Sequence, residues 1–138
     1  MKILLTGATG YIGQRLLPVL LEKDCEVTCC VRDKKRFDTS KYNTRKLKVV
    51  EVDFLQKDTL QNIPADIDAA YYLIHSMSSP KGDFEDLEKQ SAENFKDRLQ
   101  QTNAKQVIYL SGIINEEKLS KHLTSRKQVE EILAAGNF

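Results

Sequence analysis

The amino-acid sequence predicts an α/β protein with a doubly wound parallel sheet of five strands in the order 3-2-1-4-5. An apolar run at the amino terminus leads directly into a glycine-rich turn and a helix. Four more apolar or β-branched runs follow, and helical or irregular chain separates each from the next. In the six-strand version of this architecture another strand would follow Gly136. We therefore expect the chain to be truncated before a sixth strand.

The composition indicates one ordinary globular domain of 138 residues, with a net charge of +1 and 41% hydrophobic residues. The 21 basic and 20 acidic residues are mixed along the chain, so no basic face for nucleic acid is predicted. No apolar run approaches the roughly 20 residues that span a bilayer. The first strand begins without the charged and apolar regions of a signal peptide. We expect a cytoplasmic protein without nucleic-acid or membrane partners.

Three cysteines lie close together, in and just before the second predicted strand. Their odd number and their spacing do not match a zinc site or a redox pair. We expect Cys25, Cys29 and Cys30 to be reduced packing residues, with no metal bound. As neighbours in a strand, Cys29 and Cys30 should face opposite sides of the sheet.

Three glycines follow the first predicted strand, at Gly7, Gly10 and Gly13. The first would permit a tight bend, the second a close approach of backbone to a pyrophosphate, and the third close packing of helix on strand. The helix that follows presents free N–H groups and the positive end of its dipole to phosphate. Spaced glycines are common, but a strand before them and a helix after them are the context of a dinucleotide site.

Five runs fit strands, and the second of them fits a strand that is buried on both faces, as parallel sheets require. In chain order these runs are residues 3–5, 26–31, 47–52, 69–74 and 106–111. Their carboxyl ends lead to Arg32, Asp53 and His75. Open α/β sheets bind ligands at this edge, so the three side chains are candidates for a site.

Three helices are predicted between and after the strands. The first covers residues 11–22, with a bend at Pro18, which removes one intrahelical hydrogen bond. Asp83 can cap the longest helix, whose apolar residues repeat at spacings of three and four. Ser125, with a glutamine three residues on, forms a capping box that predicts the start of the last helix, which would end before Gly136. Short helical turns or irregular chain are expected at residues 33–46, 58–62 and 75–82.

The segment Thr6–Gly13 resembles the cofactor fingerprint of the extended and atypical short-chain dehydrogenase/reductases. Later blocks are similar to the NmrA-like, NAD(P)-binding branch of that family. They are Val31-Arg32, Asp53-Phe54, Tyr71–Met77, Val107–Gly112 and His122–Leu133. The resemblance covers the whole chain. It implies a Rossmann domain that binds a nicotinamide dinucleotide.

The resemblance also implies which residues bind the cofactor. The pyrophosphate would lie against the backbone of the glycine turn, at Gly7, Thr9, Gly10, Tyr11, Ile12 and Gly13. Asp53 would accept a hydrogen bond from the adenine amino group, with Phe54 beside it, although an Asp at a strand end is also a common turn-former. The adenosine and ribose would be flanked by Leu73, Ile74 and His75. Because no acidic partner lies at an obvious spacing from His75, we expect a polar lining residue there and not a general base.

Arg32 bears on which nicotinamide cofactor is bound. NAD sites place an acidic residue at the end of the second strand to bind the ribose 2′-hydroxyl, whereas an arginine there can bind a 2′-phosphate. Lys34 and Lys35 add positive charge next to Arg32, which favours NADP. Asp33 keeps NAD open, and a simply solvent-exposed Arg32 is the other interpretation.

The residues that would carry the chemistry depart from the family pattern. Active short-chain reductases use a Tyr-x-x-x-Lys pair for proton transfer, and the matching positions here are His122 and Arg126. Histidine can pass a proton near neutral pH, whereas arginine supplies charge but cannot join a proton relay. The two residues are either a substitute acid and orienter or surface residues ahead of a helix. Ser111 matches a hydroxyl that orients substrate in the family, or it forms a turn.

One feature favours the catalytic interpretation of Arg126. The capping box places it in the first turn of the last helix, where the dipole disfavours a cation. A bound anion would explain a cation there.

The sequence is consistent with two functions. The first is the cofactor-binding part of an oxidoreductase that acts on a carbonyl-like or quinone-like small molecule. The second is a catalytically silent NAD(P)-binding sensor of the NmrA type. In either case the resemblance implies that a substrate-binding carboxyl-terminal part is missing, so we expect little or no catalysis by this polypeptide alone. Self-association through the open edge of the sheet is a further expectation.

Overall fold

A computed structural model of the chain describes residues 1–42, 44–75, 83–112 and 120–138. It contains one five-stranded sheet in the order β3-β2-β1-β4-β5, in which every neighbouring pair is parallel. The strands are β1 (Lys2–Leu5), β2 (Glu26–Val31), β3 (Leu47–Glu51), β4 (Ala69–Tyr72) and β5 (Gln106–Tyr109). This is the predicted doubly wound sheet of a Rossmann fold, and the predicted strand order is confirmed.

Helices cover both faces of the sheet. They are α1 (Tyr11–Glu22), α2 (Phe84–Leu99) and α3 (Lys121–Ala134), and short 3-10 turns occupy Lys34–Arg36, Thr44–Lys46 and Lys57–Asn62. One apolar core packs α1 against the sheet through Leu17 and Leu20. The other packs α2 and α3 against the opposite face, with Phe95 and Leu133 in its interior. Within the described parts of the chain, no helix is long and apolar enough to cross a membrane.

Strand β2 lies between β3 and β1 and is buried on both faces, as predicted. Cys29 belongs to the core under α1, and Cys30 belongs to the core under α2 and α3, so the two cysteines do face opposite sides. Cys25, Cys29 and Cys30 are all free thiols. Burial raises the pKa of Cys29 to about 12 and raises the pKa of Cys30 as well, which keeps both thiols protonated.

The predicted start of the last helix is wrong. Helix α3 begins at Lys121, and Ser120 is its N-cap, with its side-chain oxygen accepting a hydrogen bond from the amide of Leu123 at 3.3 Å. Ser125 lies inside the helix, is 1% exposed, and donates from its hydroxyl to Glu88 on α2 at 2.5 Å. Arg126 therefore lies beyond the first turn, and the helix dipole gives no reason to place an anion next to it.

The other differences are small. Strands β3, β4 and β5 end one or two residues before the predicted bounds. For β4 the cause is visible, because the Leu73 amide donates to the side chain of Thr6 at 3.0 Å and not to a strand partner. Asp83 is the N-cap residue of α2, but its side chain makes no capping hydrogen bond. Helix α1 continues through Pro18, and the bend expected there stays a prediction.

Candidate functional site

A cleft of about 370 Å³ opens at the carboxyl edge of the sheet, between the glycine turn, the ends of β2, β3 and β4, and helix α2. Nine of the residues predicted for cofactor binding line it: Gly7, Thr9, Gly10, Arg32, Asp53, Phe54, Leu73, Ile74 and His75. The remaining three, Tyr11, Ile12 and Gly13, form the first turn of α1 directly beside it. The topology thus brings together residues that are far apart in sequence.

The glycine turn has a backbone that side chains would not tolerate. Gly7 has a positive φ of +66°, and a Cβ built on it would lie 2.5 Å from the carbonyl oxygen of Leu73. A Cβ on Gly13 would lie 2.2 Å from the carbonyl oxygen of Gly7. The start of α1 is therefore pressed against the turn, and the first N–H groups of the helix, which lack intrahelical acceptors, lie beside the cleft.

Thr6 fixes this turn, and sequence reasoning gave it no separate role. It is fully buried, and its hydroxyl donates to the carbonyl of Tyr71 and accepts from the amide of Leu73, both at 3.0 Å. The end of β1 is thereby tied to the chain that leaves β4. A hydroxyl residue directly before the first glycine was the available signal for this contact.

Asp53 and Phe54, which are predicted to lie next to the adenine, line the cleft just after the end of β3. The Asp53 side chain accepts a hydrogen bond from the amide of Leu55 at 3.0 Å, so it serves the turn after β3, which is the alternative considered for it. A carboxylate accepts several hydrogen bonds, and its adenine contact stays a prediction. The Phe54 side chain is 6% exposed and its ring packs against Phe95 and Tyr72, so most of it belongs to the core.

Arg32 is exposed at the end of β2 and lines the cleft. Asp33, the acidic residue beside it, caps the turn that follows, because its side chain accepts a hydrogen bond from the amide of Lys35 at 2.9 Å. One oxygen of the carboxylate that could favour NAD is therefore engaged by the backbone.

His75 lies at the end of the chain that leaves β4, partly exposed to the cleft. Burial lowers the pKa of His75, the positive charge of Arg126 lowers it further, and the negative charge of Glu88 opposes both. Its ring centroid lies 6.4 Å from that of Tyr109. Helix α2 thus supplies the acidic neighbour that no short sequence spacing revealed.

Arg126 lies near His75 and approaches the backbone that follows Ser111. A Cβ built on Gly112 would lie 3.5 Å from a terminal guanidinium nitrogen of Arg126. The Ser111 hydroxyl is buried and has no hydrogen-bond partner among the described residues. Ser111 lines a second cavity of about 400 Å³ between β5 and the end of α3, and not the cleft beside the glycine turn. His122 lies in the first turn of α3, and its side chain is outside the described part of the structure.

Tyr109, on β5, lies beside His75 and Arg126. Burial raises the pKa of Tyr109 to about 12, and the charge of Glu88 acts in the same direction. Its hydroxyl lies 3.5 Å from the carbonyl oxygen of Arg126. In the described residues no group of three or more His, Cys, Asp or Glu side chains is placed to hold a metal ion.

Comparison with known proteins agrees with this geometry. The model of a family described as NAD(P)H-binding matches residues 7–137. Among solved structures, a nucleoside-diphosphate-sugar epimerase from Staphylococcus aureus is 18% identical, with a TM-score of 0.78 over 97% of this chain and 46% of that one. The triphenylmethane reductase of a Citrobacter species, complexed with NADP(H), is 20% identical, with a TM-score of 0.75 over 97% and 45%.

A third similar structure is an enzyme from Bordetella bronchiseptica in complex with NAD and UDP. It is 14% identical, with a TM-score of 0.75 over 98% of this chain and 49% of that one. These likenesses show the fold, and the chain spans about half the length of each of the three proteins.

Proposed function

The chain belongs to the NAD(P)H-binding family, and on that premise we propose that it binds NADP as the cofactor-binding part of an oxidoreductase. The observation that carries the proposal is the convergence of nine predicted residues on one cleft beside the glycine turn. The steric demands at Gly7 and Gly13 support it, because a turn closed to side chains is what a closely approaching pyrophosphate needs.

The choice of NADP over NAD rests on the end of β2. A guanidinium binds phosphate oxygens with paired, charge-assisted hydrogen bonds, and Arg32 is exposed in the cleft. Asp33 is the group that would accept the 2′-hydroxyl of NAD, and one of its oxygens already accepts from Lys35. The similar solved structures include complexes with NADP(H) and with NAD, so the support for NADP over NAD comes from these residues at the end of β2.

In its reduced form the bound cofactor would supply a hydride to the substrate, and the chain's own residues would bind and orient the cofactor. Backbone N–H groups of the glycine turn and of the start of α1 would hold the pyrophosphate. Asp53 would hold the adenine, and the ribose would lie towards His75. For a carbonyl-like or quinone-like substrate, we propose His122 as the proton donor and Ser111 and Arg126 as the residues that orient the substrate.

A catalytically silent sensor of the NmrA type is the second candidate. The observation that favours it is the replacement of the Tyr-x-x-x-Lys pair by His122 and Arg126. A sensor would bind the cofactor in the same cleft without turning it over.

Calorimetric titration with NADPH and NADH tests the binding proposal. We expect NADPH to bind more tightly than NADH, and we expect Gly7→Ala to abolish binding because the new Cβ meets the Leu73 carbonyl. Ala135→Gly, at the exposed end of α3, is the control and should bind as the wild type does. If neither cofactor binds, the proposal is wrong.

A turnover assay separates the two candidates. NADPH would be mixed with a panel of quinones and aldehydes, and the nicotinamide absorbance would be followed for this polypeptide and for the product of its full gene. Oxidation of NADPH in either protein supports the oxidoreductase. Tight binding without turnover in both supports the sensor.

A further inference from the structure

The last residue of β3 reaches across the sheet edge to the turn that follows β2. Glu51 is paired in register with Val31, and its carboxylate accepts a hydrogen bond from the backbone amide of Lys34 at 3.0 Å. Lys34 is the first residue of the 3-10 turn Lys34–Arg36. A side chain on one strand therefore holds the backbone of the segment that continues the neighbouring strand.

The other hydrogen bonds of this turn are local. Asp33 accepts from the amide of Lys35 through its side chain and from the amide of Arg36 through its carbonyl, and the Phe37 amide donates to the Lys34 carbonyl. Among the described residues, the bond to Glu51 is the one that ties the amides of the turn to the sheet. The end of β2 is fixed independently, because the amide of Val52 donates to the carbonyl of Val31 at 2.8 Å. The hydrogen bond of the Glu51 side chain therefore acts on the turn and not on the end of β2.

The segment that Glu51 holds carries a concentration of positive charge. Four of the five residues at positions 32–36 are cationic, and Asp33 is the exception: Arg32, Lys34, Lys35 and Arg36. All four are exposed, and none forms an ion pair within the described part of the chain. With the carboxylates of Asp33 and Glu51 the local balance is four positive against two negative charges. Both carboxylates are directed at backbone amides, so the cations stay available to an anion.

We propose that Glu51 is a positioning residue for cofactor choice, which orients the basic turn so that it adds to the binding of a 2′-phosphate at Arg32. This inference rests on the proposed binding of NADP. It attributes the preference for NADP to the hydrogen bond between Glu51 and the Lys34 amide as well as to Arg32. The carboxylate acts through its hydrogen bond to the Lys34 amide, so an amide side chain of the same length can replace it.

Two adenosine fragments test the inference without the nicotinamide half of the cofactor. Adenosine 2′,5′-bisphosphate carries the 2′-phosphate, and adenosine 5′-monophosphate lacks it, so the ratio of their dissociation constants reports on that group alone. We expect Glu51→Ala to weaken the binding of the bisphosphate by about 2- to 10-fold, the range of one hydrogen bond, and to leave the monophosphate unchanged. Glu51→Gln removes the same charge but keeps an acceptor oxygen, so its ratio should be at least that of the wild type.

The controls separate this inference from its premise. Glu131→Ala removes an exposed carboxylate of the same length from α3 and should change neither fragment. Circular dichroism and thermal unfolding of each variant would show that the fold is intact. If wild-type protein does not prefer the bisphosphate, the NADP proposal and the role of Glu51 are both wrong. If it does and Glu51→Ala keeps the full preference, or weakens both fragments equally, the role of Glu51 alone is wrong.

Discussion

The hydroxyl of Ser125 donates a hydrogen bond to the carboxylate of Glu88 and joins α3 to α2 in the interior of the protein. The two residues are 1% and 7% exposed. A buried carboxylate requires hydrogen-bond donors, because its desolvation is costly. This contact lies beside His75 and Tyr109, whose pKa values both respond to the charge of Glu88, so it connects the packing of the helices with the edge of the cleft.

Replacing Ser125 should therefore destabilise the fold. Ser125→Ala removes a hydrogen bond to a buried carboxylate, and we expect the free energy of unfolding to fall by about 1–3 kcal/mol. Urea denaturation followed by circular dichroism would measure the change. Ser120→Ala removes the N-cap of α3 and should cost about 1 kcal/mol. A Ser125→Ala variant as stable as the wild type would show that Glu88 does not depend on this donor.

The imidazole of His75 should titrate below the ordinary value of about 6.5. Its pKa is lowered by burial and by Arg126, so we expect Arg126→Gln to raise the pKa towards the ordinary value. The chain has two histidines, and NMR titration of the imidazole signals would resolve both, with His122→Asn identifying the second. An unchanged His75 pKa in Arg126→Gln would mean that the two side chains do not interact.

The lowered pKa of His75 also determines how the free energy of unfolding depends on pH. A histidine whose pKa is lowered in the folded state is held neutral there, and protonation favours unfolding. The contribution of His75 is present above the unfolded pKa of about 6.5. It is lost as the pH falls through the lower, folded value. Denaturation at several pH values should show this loss in the wild type and a smaller one in Arg126→Gln.

The cysteines give a test of the packing of β2. Cys29 is fully buried and its pKa is raised to about 12, and Cys30 is buried on the other face of the sheet. Cys25 is partly exposed. Since the thiolate is the reactive form, we expect a thiol reagent at pH 8 to modify one cysteine in the native protein and all three after denaturation. Rapid modification of two or three native cysteines would contradict burial on both faces.

The sheet could be predicted from the sequence because each of its determinants is local. The glycine turn identifies β1 and α1, and the alternation of apolar runs with crossovers leaves one strand order. The ends of the strands could not be predicted as well. At Leu73 the ladder stops because Thr6, 67 residues earlier, takes its amide, and such a contact exists only after the strands have paired.

The contact between α2 and α3 was less predictable, because it also depends on residues that are far apart in the sequence. The capping-box pattern at Ser125 is short and occurs by chance inside helices, whereas the true cap is Ser120. Glu88 lies on a helix rich in charged residues, where a glutamate is ordinarily solvated. Its burial follows from the packing of α3 on α2. The glycine turn was easier to predict, because it directly follows β1 in the sequence.

The guanidinium of Arg32 carries the preference for NADP in our proposal. Arg32→Ala should weaken NADPH binding by about 10-fold, as expected for an exposed charge-assisted contact, and leave NADH binding unchanged, because NADH has no 2′-phosphate. Parallel calorimetric titrations would measure both constants. Because exposed charges are screened by salt, the preference of the wild type should also shrink between low and high ionic strength. Lys127→Ala, which removes an exposed cation from α3, is the matched control. An equal loss for both cofactors would show that Arg32 supports the cleft as a whole and does not contact the 2′-phosphate.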